Sequence, residues 1–226
     1  MAELILALDV PREADAMRLL DQLPSLRWVK VGPILMTREG PSFVRTLTSR
    51  GLKVFLDLKW HDIPTTVAGA VAAAREIGVA MATVHTLGGR AMLEAATVAA
   101  AGEVALAGVT VLTSHEPASY AQAVGRGAMD IPREVERLAL VAAEAGLQGV
   151  VCSPREVSLL RRRLGPGLQI VVPGIRRRTD PSGDQARVAT AKDAVANGAT
   201  HIVVGRPVLQ AADPAAAYEE FLKEAR

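Results

Sequence analysis

The sequence predicts an α/β fold, a (β/α)8 barrel of the TIM type, folded as one domain over residues 1–226. Three observations predict it. Short apolar runs alternate eight times with helical stretches along the chain. The runs are rich in Val, Ile and Leu and four to nine residues long, as expected of parallel strands buried on both faces. Spreading 226 residues over eight repeats leaves about 28 per βα unit, which fits a compact barrel. A doubly wound open sheet is the rival. It more often carries a glycine-rich turn after its first strand, whereas here that strand runs into Asp9-Val10-Pro11.

Taken in order, the strands are LILAL (4–8), WVKV (28–31), KVFLDL (53–58), MATVH (81–85), VALAGVTVL (104–112), GVVC (149–152), QIVV (169–172) and HIVV (201–204). The helices between and after them cover about 12–22, 34–49, 65–77, 89–101, 132–145, 154–163, 187–197 and 214–225. Proline stands near most helix starts (Pro11, Pro33, Pro64, Pro132, Pro154, Pro214), and glycine near most ends (Gly51, Gly78, Gly102, Gly146, Gly198). No linker, low-complexity tract or charge block divides the chain.

Composition removes several functions. A net charge of +2 with dispersed basic residues argues against a nucleic-acid footprint. Seven scattered aromatics make no base-stacking platform. The single cysteine, Cys152, forms no internal disulfide, and no Cys/His spacing resembles a zinc site. No apolar run approaches the ~18 residues of a membrane span, and Met1 leads straight into LILALDV without a basic leader. The expectation is a cytoplasmic protein with no nucleic-acid or membrane partner. Of the 26 basic residues 21 are Arg and five are Lys.

In such a barrel the chemistry gathers at the C-terminal ends of the strands. The first strand ends in Asp9, the second carries Lys30, and the third runs into FLDLKWHDIPTTV. Asp57 and Lys59 are two apart on a strand and therefore project to one side. Asp62 follows as the chain leaves it, so the spacing places an ammonium between two carboxylates. Such flanking charges hold a lysine protonated, ready to deliver a proton to a developing carbanion. The alternative is an ion-pair network that only closes the barrel mouth. His85 ends the fourth strand and reads equally as a core or a supporting residue, and His61 reads as a loop residue. Thr113 and Ser114 after the fifth strand suit a base or amide edge, or simple turn capping.

The seventh strand ends in VVPGIR, with Pro173, Gly174 and Arg176, and a polar loop follows that contains Gln185. The eighth ends in VVGRP, with Gly205 and Arg206. Barrels often hold phosphate with these two loops, and the arginines supply forked donors for it. Arg177 and Arg178 read in part as a solvated face. The loop 174–187 is long enough to cover a bound phosphate.

FLDLKWHDIPTTV, VTVLTS, VVPGIR, SGDQ and VVGRP, in this order, resemble the orotidine 5′-phosphate decarboxylase family. The resemblance runs from LALDV at Asp9 to VGRPV near residue 208, and the D-x-K-x-x-D-I-P-x-T core is its most specific part. Thr65 is a small departure, since bacterial members often carry Asn there. The resemblance implies decarboxylation of orotidine 5′-monophosphate to uridine 5′-monophosphate, the last step of de novo pyrimidine synthesis, without metal or organic cofactor. It also implies a homodimer whose sites are completed by the partner subunit. By the same resemblance Lys59 is the proton donor to C6, and Asp57 lies beside the leaving carboxylate. Asp62, Ile63 and Thr66 come from the other subunit, Asp9 and Lys30 hold the ribose hydroxyls and the charged array, and Thr113 sits at the pyrimidine. Pro173 packs on the base, and Arg176, Gln185, Gly205 and Arg206 bind the phosphate. The nearest alternative is a sugar-phosphate decarboxylase or synthase of the same superfamily, which shares D-x-K-x-x-D but uses Mg²⁺ and an enediolate. The D-I-P-x-T continuation and VVPGIR favour the nucleotide enzyme. A barrel that only binds a regulatory nucleotide needs no Asp57–Lys59–Asp62 array.

Overall fold

A computed structural model describes residues 1–178, 180 and 187–226. The eight parallel strands are β1 (Glu3–Ala7), β2 (Trp28–Val31), β3 (Lys53–Trp60), β4 (Met81–His85), β5 (Ala105–Val109), β6 (Gly149–Val151), β7 (Gln169–Val172) and β8 (His201–Val204). They pair in sequence order and close into a barrel, with Leu4 of β1 opposite Ile202 of β8 and Leu6 opposite Val204. The predicted fold class is the observed one.

The helices are α1 (Glu13–Asp21), α2 (Pro33–Ser49), α3 (Pro64–Glu76), α4 (Gly89–Ala100), α5 (Pro117–Ala123), α6 (Ile131–Glu144), α7 (Val157–Leu164), α8 (Ala191–Ala196), α9 (Arg206–Leu209) and α10 (Pro214–Glu224). Helix α6 shows why such segments are helical. Ile131, Val135, Leu138, Ala139 and Ala142 make one buried stripe, Pro132 sits in the first turn, and Asp130 caps the start by accepting the Arg133 N–H. Their apolar stripes pack on the outward side chains of the strands and make the larger core.

Several boundaries differ from the sequence reading, each for a local reason. Helix α2 bends at Gly40, where φ is +70° ahead of Pro41, a conformation that glycine adopts without strain. Strand β5 stops at Val109, and Thr110 just beyond it gives both its N–H (3.2 Å) and its hydroxyl (2.8 Å) to the Val151 carbonyl. Residues 110–114, predicted in part as strand, form a loop at the barrel mouth instead. Helix α5 was not foreseen. It is one short insertion held by a capping box between Glu116 and Ser119. Pro154 opens a 3-10 turn (Pro154–Glu156), so α7 begins later than expected. Helix α8 starts only at Ala191, capped by Thr190, because Ala189 is engaged in a bridge to Ile175.

Inside the barrel, residues two apart along each strand climb from the N-terminal floor to the C-terminal mouth. Ile5, Ala7, Trp28, Phe55, Met81, Ala107, Val171 and Val203 form the inner apolar cluster. The floor is plugged by Trp28, which meets His201 edge-on with ring centroids 5.5 Å apart and carries the Lys53 ammonium 5.2 Å from its ring centre. Above the cluster the inward positions turn polar: Asp9, Lys30, Asp57, Thr83.

Burial pushes the His201 imidazole down to about 4, with Glu3 opposing and Lys53 adding to the effect. A histidine held neutral in this way stabilises the fold above its unfolded value of roughly 6.5, and the contribution is lost as pH falls from there to about 4. Urea unfolding at pH 7 and pH 4.5 should therefore show a loss of stability in the native chain. His201→Gln should reduce that loss by about 2 kcal/mol. An equal loss in both proteins excludes His201 as its source.

Candidate active site

At the C-terminal mouth the barrel opens into a cavity of about 620 Å³, a size typical of small-molecule sites. Its walls come from the ends of β1, β2, β3, β5, β6, β7 and β8 and the loops beyond them. Of the thirteen site residues that the resemblance assigns, nine line it: Asp9, Lys30, Asp57, Lys59, Thr113, Pro173, Arg176, Gly205 and Arg206.

On β1–β3 the charges alternate in a row. Asp9 Oδ1 accepts from Lys30 Nζ at 2.9 Å, Lys30 Nζ lies 3.7 Å from Asp57 Oδ2, and Lys59 Nζ donates to Asp57 Oδ1 at 2.9 Å. Gly32, just after β2, leaves the row its space, since a Cβ there would stand 3.3 Å from Lys30 Nζ. Burial works against ionisation of Asp57. The two ammonium groups, with hydrogen bonds from Lys59 and Thr83, outweigh it and hold the carboxyl below the usual carboxylate range.

Asp57 and Lys59 meet as predicted, though not on a regular strand. The pairing of β3 with β4 shifts between Leu56↔Ala82 and Trp60↔Val84, and Lys59 has φ +52°, a left-handed conformation that a lysine rarely adopts. Thr83 of β4 holds this bulge. Its Oγ1 accepts the Lys59 N–H at 2.8 Å and donates to Asp57 Oδ1 at 3.0 Å, and the residue is fully buried. Sequence reasoning passed over Thr83. The signal was available: it is a polar residue in the inward register of MATVH, two positions from Met81.

The expectation that Asp62 flanks Lys59 within one chain is corrected. Asp62 is exposed, its carboxylate turns back to accept the Ile63 N–H at 2.6 Å, and the described ion pairs of Lys59 do not include it. Among the described residues the carboxylate that Lys59 meets is Asp57, and it is Lys30 that bridges two, Asp9 and Asp57. Ile63 and Thr66 are likewise exposed and do not line the cavity of their own chain. His85 stacks on His61 with centroids 5.4 Å apart and accepts the Leu87 N–H. Burial, then the charges of His61 and Lys59, push it down to about 4.

In the closed strand order β7 stands across the barrel from β3, and β8 lies next to it. Arg176 follows β7, is buried, and donates to the Ile175 carbonyl at 2.8 Å. Arg206 opens α9 directly after Gly205. Both guanidinium groups border the cavity, together with Gln210, which the sequence reading did not name. Arg177 turns away to pair with Glu220 at 2.8 Å and to cover the Phe221 ring. Gln185 lies outside the described residues, as does half of the loop 174–187 expected to cover the phosphate. Among the described residues no group of three or more His, Cys, Asp and Glu is placed to hold a metal ion, and no helix is long and apolar enough to cross a membrane.

These features define a (β/α)8 barrel of the enzyme type, with charged groups gathered on the face where the fold keeps its chemistry. Residues 2–221 match the model of the orotidine 5′-phosphate decarboxylase / HUMPS family, and the chain belongs to that family. It is 52% identical over 219 residues to the orotidine 5′-phosphate decarboxylase of Halorhodospira halophila, covering 95% of this chain and 92% of that one. It is 49% identical to that of Alkalilimnicola ehrlichii, over 99% and 96% of the two chains. The crystal structure of orotidine 5′-phosphate decarboxylase from Lactobacillus acidophilus superposes with a TM-score of 0.89 at 36% identity, over 100% of both chains.

The part given to Thr83 is checked by stability. Thr83→Val leaves a buried carboxylate and a backbone N–H each short of a partner, and should cost about 1–3 kcal/mol in urea unfolding. Thr83→Ser, which keeps the hydroxyl, should cost clearly less. Equal losses from the two variants show that the methyl group matters and the hydroxyl does not.

Proposed function

We propose that this chain converts orotidine 5′-monophosphate to uridine 5′-monophosphate and CO2, the last step of de novo pyrimidine nucleotide synthesis, in the cytoplasm. The observation that carries the reading is the Asp57–Lys59 pair, 2.9 Å apart on a bulged strand at the cavity wall. It stands in a chain closely similar over its length to proteins named for that activity.

The chemistry follows from what the reaction lacks. When the bond between C6 and the carboxylate breaks, CO2 departs and the electron pair stays on C6, with no adjacent carbonyl to spread it. The barrier falls through electrostatics and positioning. Lys59 sets an ammonium beside the developing carbanion and then gives it a proton, becoming a neutral amine that solvent reprotonates. Asp57 orients that ammonium through their 2.9 Å hydrogen bond. Lys30 and Asp9 extend the array towards the ribose hydroxyls. Thr113 meets the pyrimidine edge, and Pro173 packs on its face.

Arg176 and Arg206 grip the phosphate from the far side of the mouth, with Gly205 allowing close approach and Gln185 adding an amide. Binding energy from this remote group is available to hold the reacting end against Lys59. No cofactor or metal enters the scheme. Asp62, Ile63 and Thr66 act in a homodimer: Asp62 of the partner subunit reaches Lys59 from the second copy, supplying the other flanking carboxylate. Their exposure in the single chain, including Ile63 at 64%, supports this.

An ultraviolet assay with orotidine 5′-monophosphate tests the activity, and EDTA should leave the rate unchanged. No turnover, or loss of the rate to EDTA, overturns the reading. In the same assay Lys59→Ala should lose at least about 10³-fold in kcat/KM while the protein stays folded. Arg206→Ala should lose about 10²-fold for the nucleotide and little for the nucleoside. Wild-type turnover in the first, or equal losses for both ligands in the second, removes the assigned role.

The shared site is read by subunit mixing. Chains carrying Asp9→Ala and Asp62→Ala are each nearly inactive. After exchange their mixture should regain about a quarter of the wild-type rate, since one site in a mixed dimer is intact and random exchange makes mixed dimers about half of the total. No recovery after confirmed exchange contradicts the dimer proposal.

A further inference from the structure

Outside the charged row, one described ion pair has both side chains buried. Arg187 Nη1 donates to Glu156 Oε1 at 2.9 Å, and the two side chains are 5% and 3% exposed. Glu156 ends the 3-10 turn after β6, where its second oxygen accepts from the Ser153 hydroxyl. On its other side Arg187 Nη2 donates to the carbonyls of Leu112 (3.2 Å) and Val111 (3.4 Å). These two residues line the cavity immediately before Thr113 and Ser114. Arg187 is also two residues from Ala189, whose carbonyl accepts the Arg176 N–H at 3.0 Å and whose N–H donates to Gly174 at 3.4 Å. One guanidinium therefore ties together the loop after β5, the turn after β6 and the strand-like segment that pairs with residues 174–176.

We infer that Arg187, held by Glu156, is a positioning residue that fixes the Val111–Ser114 wall relative to the segment carrying Arg176. A guanidinium suits the task because it keeps its charge and presents several donors in a rigid plane. Glu156 neutralises it where an unpaired charge is too costly to bury. A buried pair of this kind adds little stability over apolar side chains of similar volume, so what it supplies is geometry. The inference rests on the reading that the cavity takes a nucleoside monophosphate. On that reading the tether holds the base-facing wall and the phosphate-facing wall at a constant separation. A base locked at one end and a phosphate at the other then place C6 at Lys59.

The test removes both charges together, in the full-length Glu156→Gln/Arg187→Met double variant, so that neither is left buried alone. Hydrogen exchange should quicken in peptides spanning 111–114 and 174–176 and stay at the wild-type rate in β1–β4. The KM for orotidine 5′-monophosphate and the Kd for uridine 5′-monophosphate should rise about tenfold or more, and kcat should fall by a similar factor. Unchanged exchange in the two segments overturns the inference. So does faster exchange spread evenly over every strand, which marks a purely structural pair. If the double variant yields no folded protein, Arg187→Lys is read by the same criteria, since it keeps the charge and loses the fork to the carbonyls. If the wild-type chain neither turns over orotidylate nor binds uridylate, the functional reading fails, and the exchange pattern still decides whether the tether exists.

Discussion

The upper half of this barrel is organised around a single ionised carboxylate. Asp57 is mostly buried, with 14% of its side chain exposed, and an isolated carboxylate so placed would take up a proton. It stays ionised because β2 brings Lys30 to one oxygen and the bulged end of β3 brings Lys59 to the other. The second partner requires Lys59 to adopt a left-handed backbone, a strain of about 1–3 kcal/mol. Thr83 offsets it by accepting the Lys59 N–H while donating to the same carboxylate. Three strands and one hydroxyl therefore meet at Asp57, and loss of any one contact leaves a buried charge short of a partner.

The interior divides its work by height. Below, Ile5, Phe55, Met81 and Val203 fill the barrel, and Trp28 and His201 close its floor. One step up each strand the inward residues become Asp9, Lys30, Asp57 and Thr83. The apolar layer excludes solvent from beneath the row, so its charges interact through protein on one side and through the cavity on the other. This lowers the effective dielectric and strengthens each pair. The same layer makes an unpaired charge more costly, which explains why each member of the row is neutralised by its neighbour.

The legibility of the sequence follows the range of the interactions involved. Strand and helix periodicity is local, so all eight strands were found, with boundaries off by a few residues. Charged residues at strand ends were legible because the fold class says where to look. The parts that escaped are set by partners distant in the chain. The left-handed Lys59 depends on a hydroxyl 24 residues away. Arg187 is the clearest case, since within RRTDPSGDQAR it looks like any solvated loop arginine. Only its burial against Glu156, 31 positions earlier, and the Leu112 carbonyl, 75 positions earlier, sets it apart. Asp62 failed in the opposite way: its spacing from Lys59 is close in sequence, but the turn that separates them points the carboxylate elsewhere.

The alternation of charge along the row also bears on how an anionic ligand could be held there. Asp9, Lys30, Asp57 and Lys59 sum to zero, so the row as a whole exerts little long-range pull. Its last member is a cation whose side chain is 36% exposed. A carboxylate brought to that ammonium also approaches Asp57, 2.9 Å behind it, and the two effects largely cancel at a distance. Attraction has to come from elsewhere, and Arg176 and Arg206 stand across the mouth, beyond the end of β7 and at the start of α9. Under the proposed reaction they capture the phosphate and give the binding energy, while the neutral row contributes little to affinity in the ground state. When CO2 leaves, negative charge moves from a carboxylate near Asp57 onto a carbon beside Lys59. The row then becomes attractive at the point where charge has developed, which is the differential stabilisation that lowers a barrier.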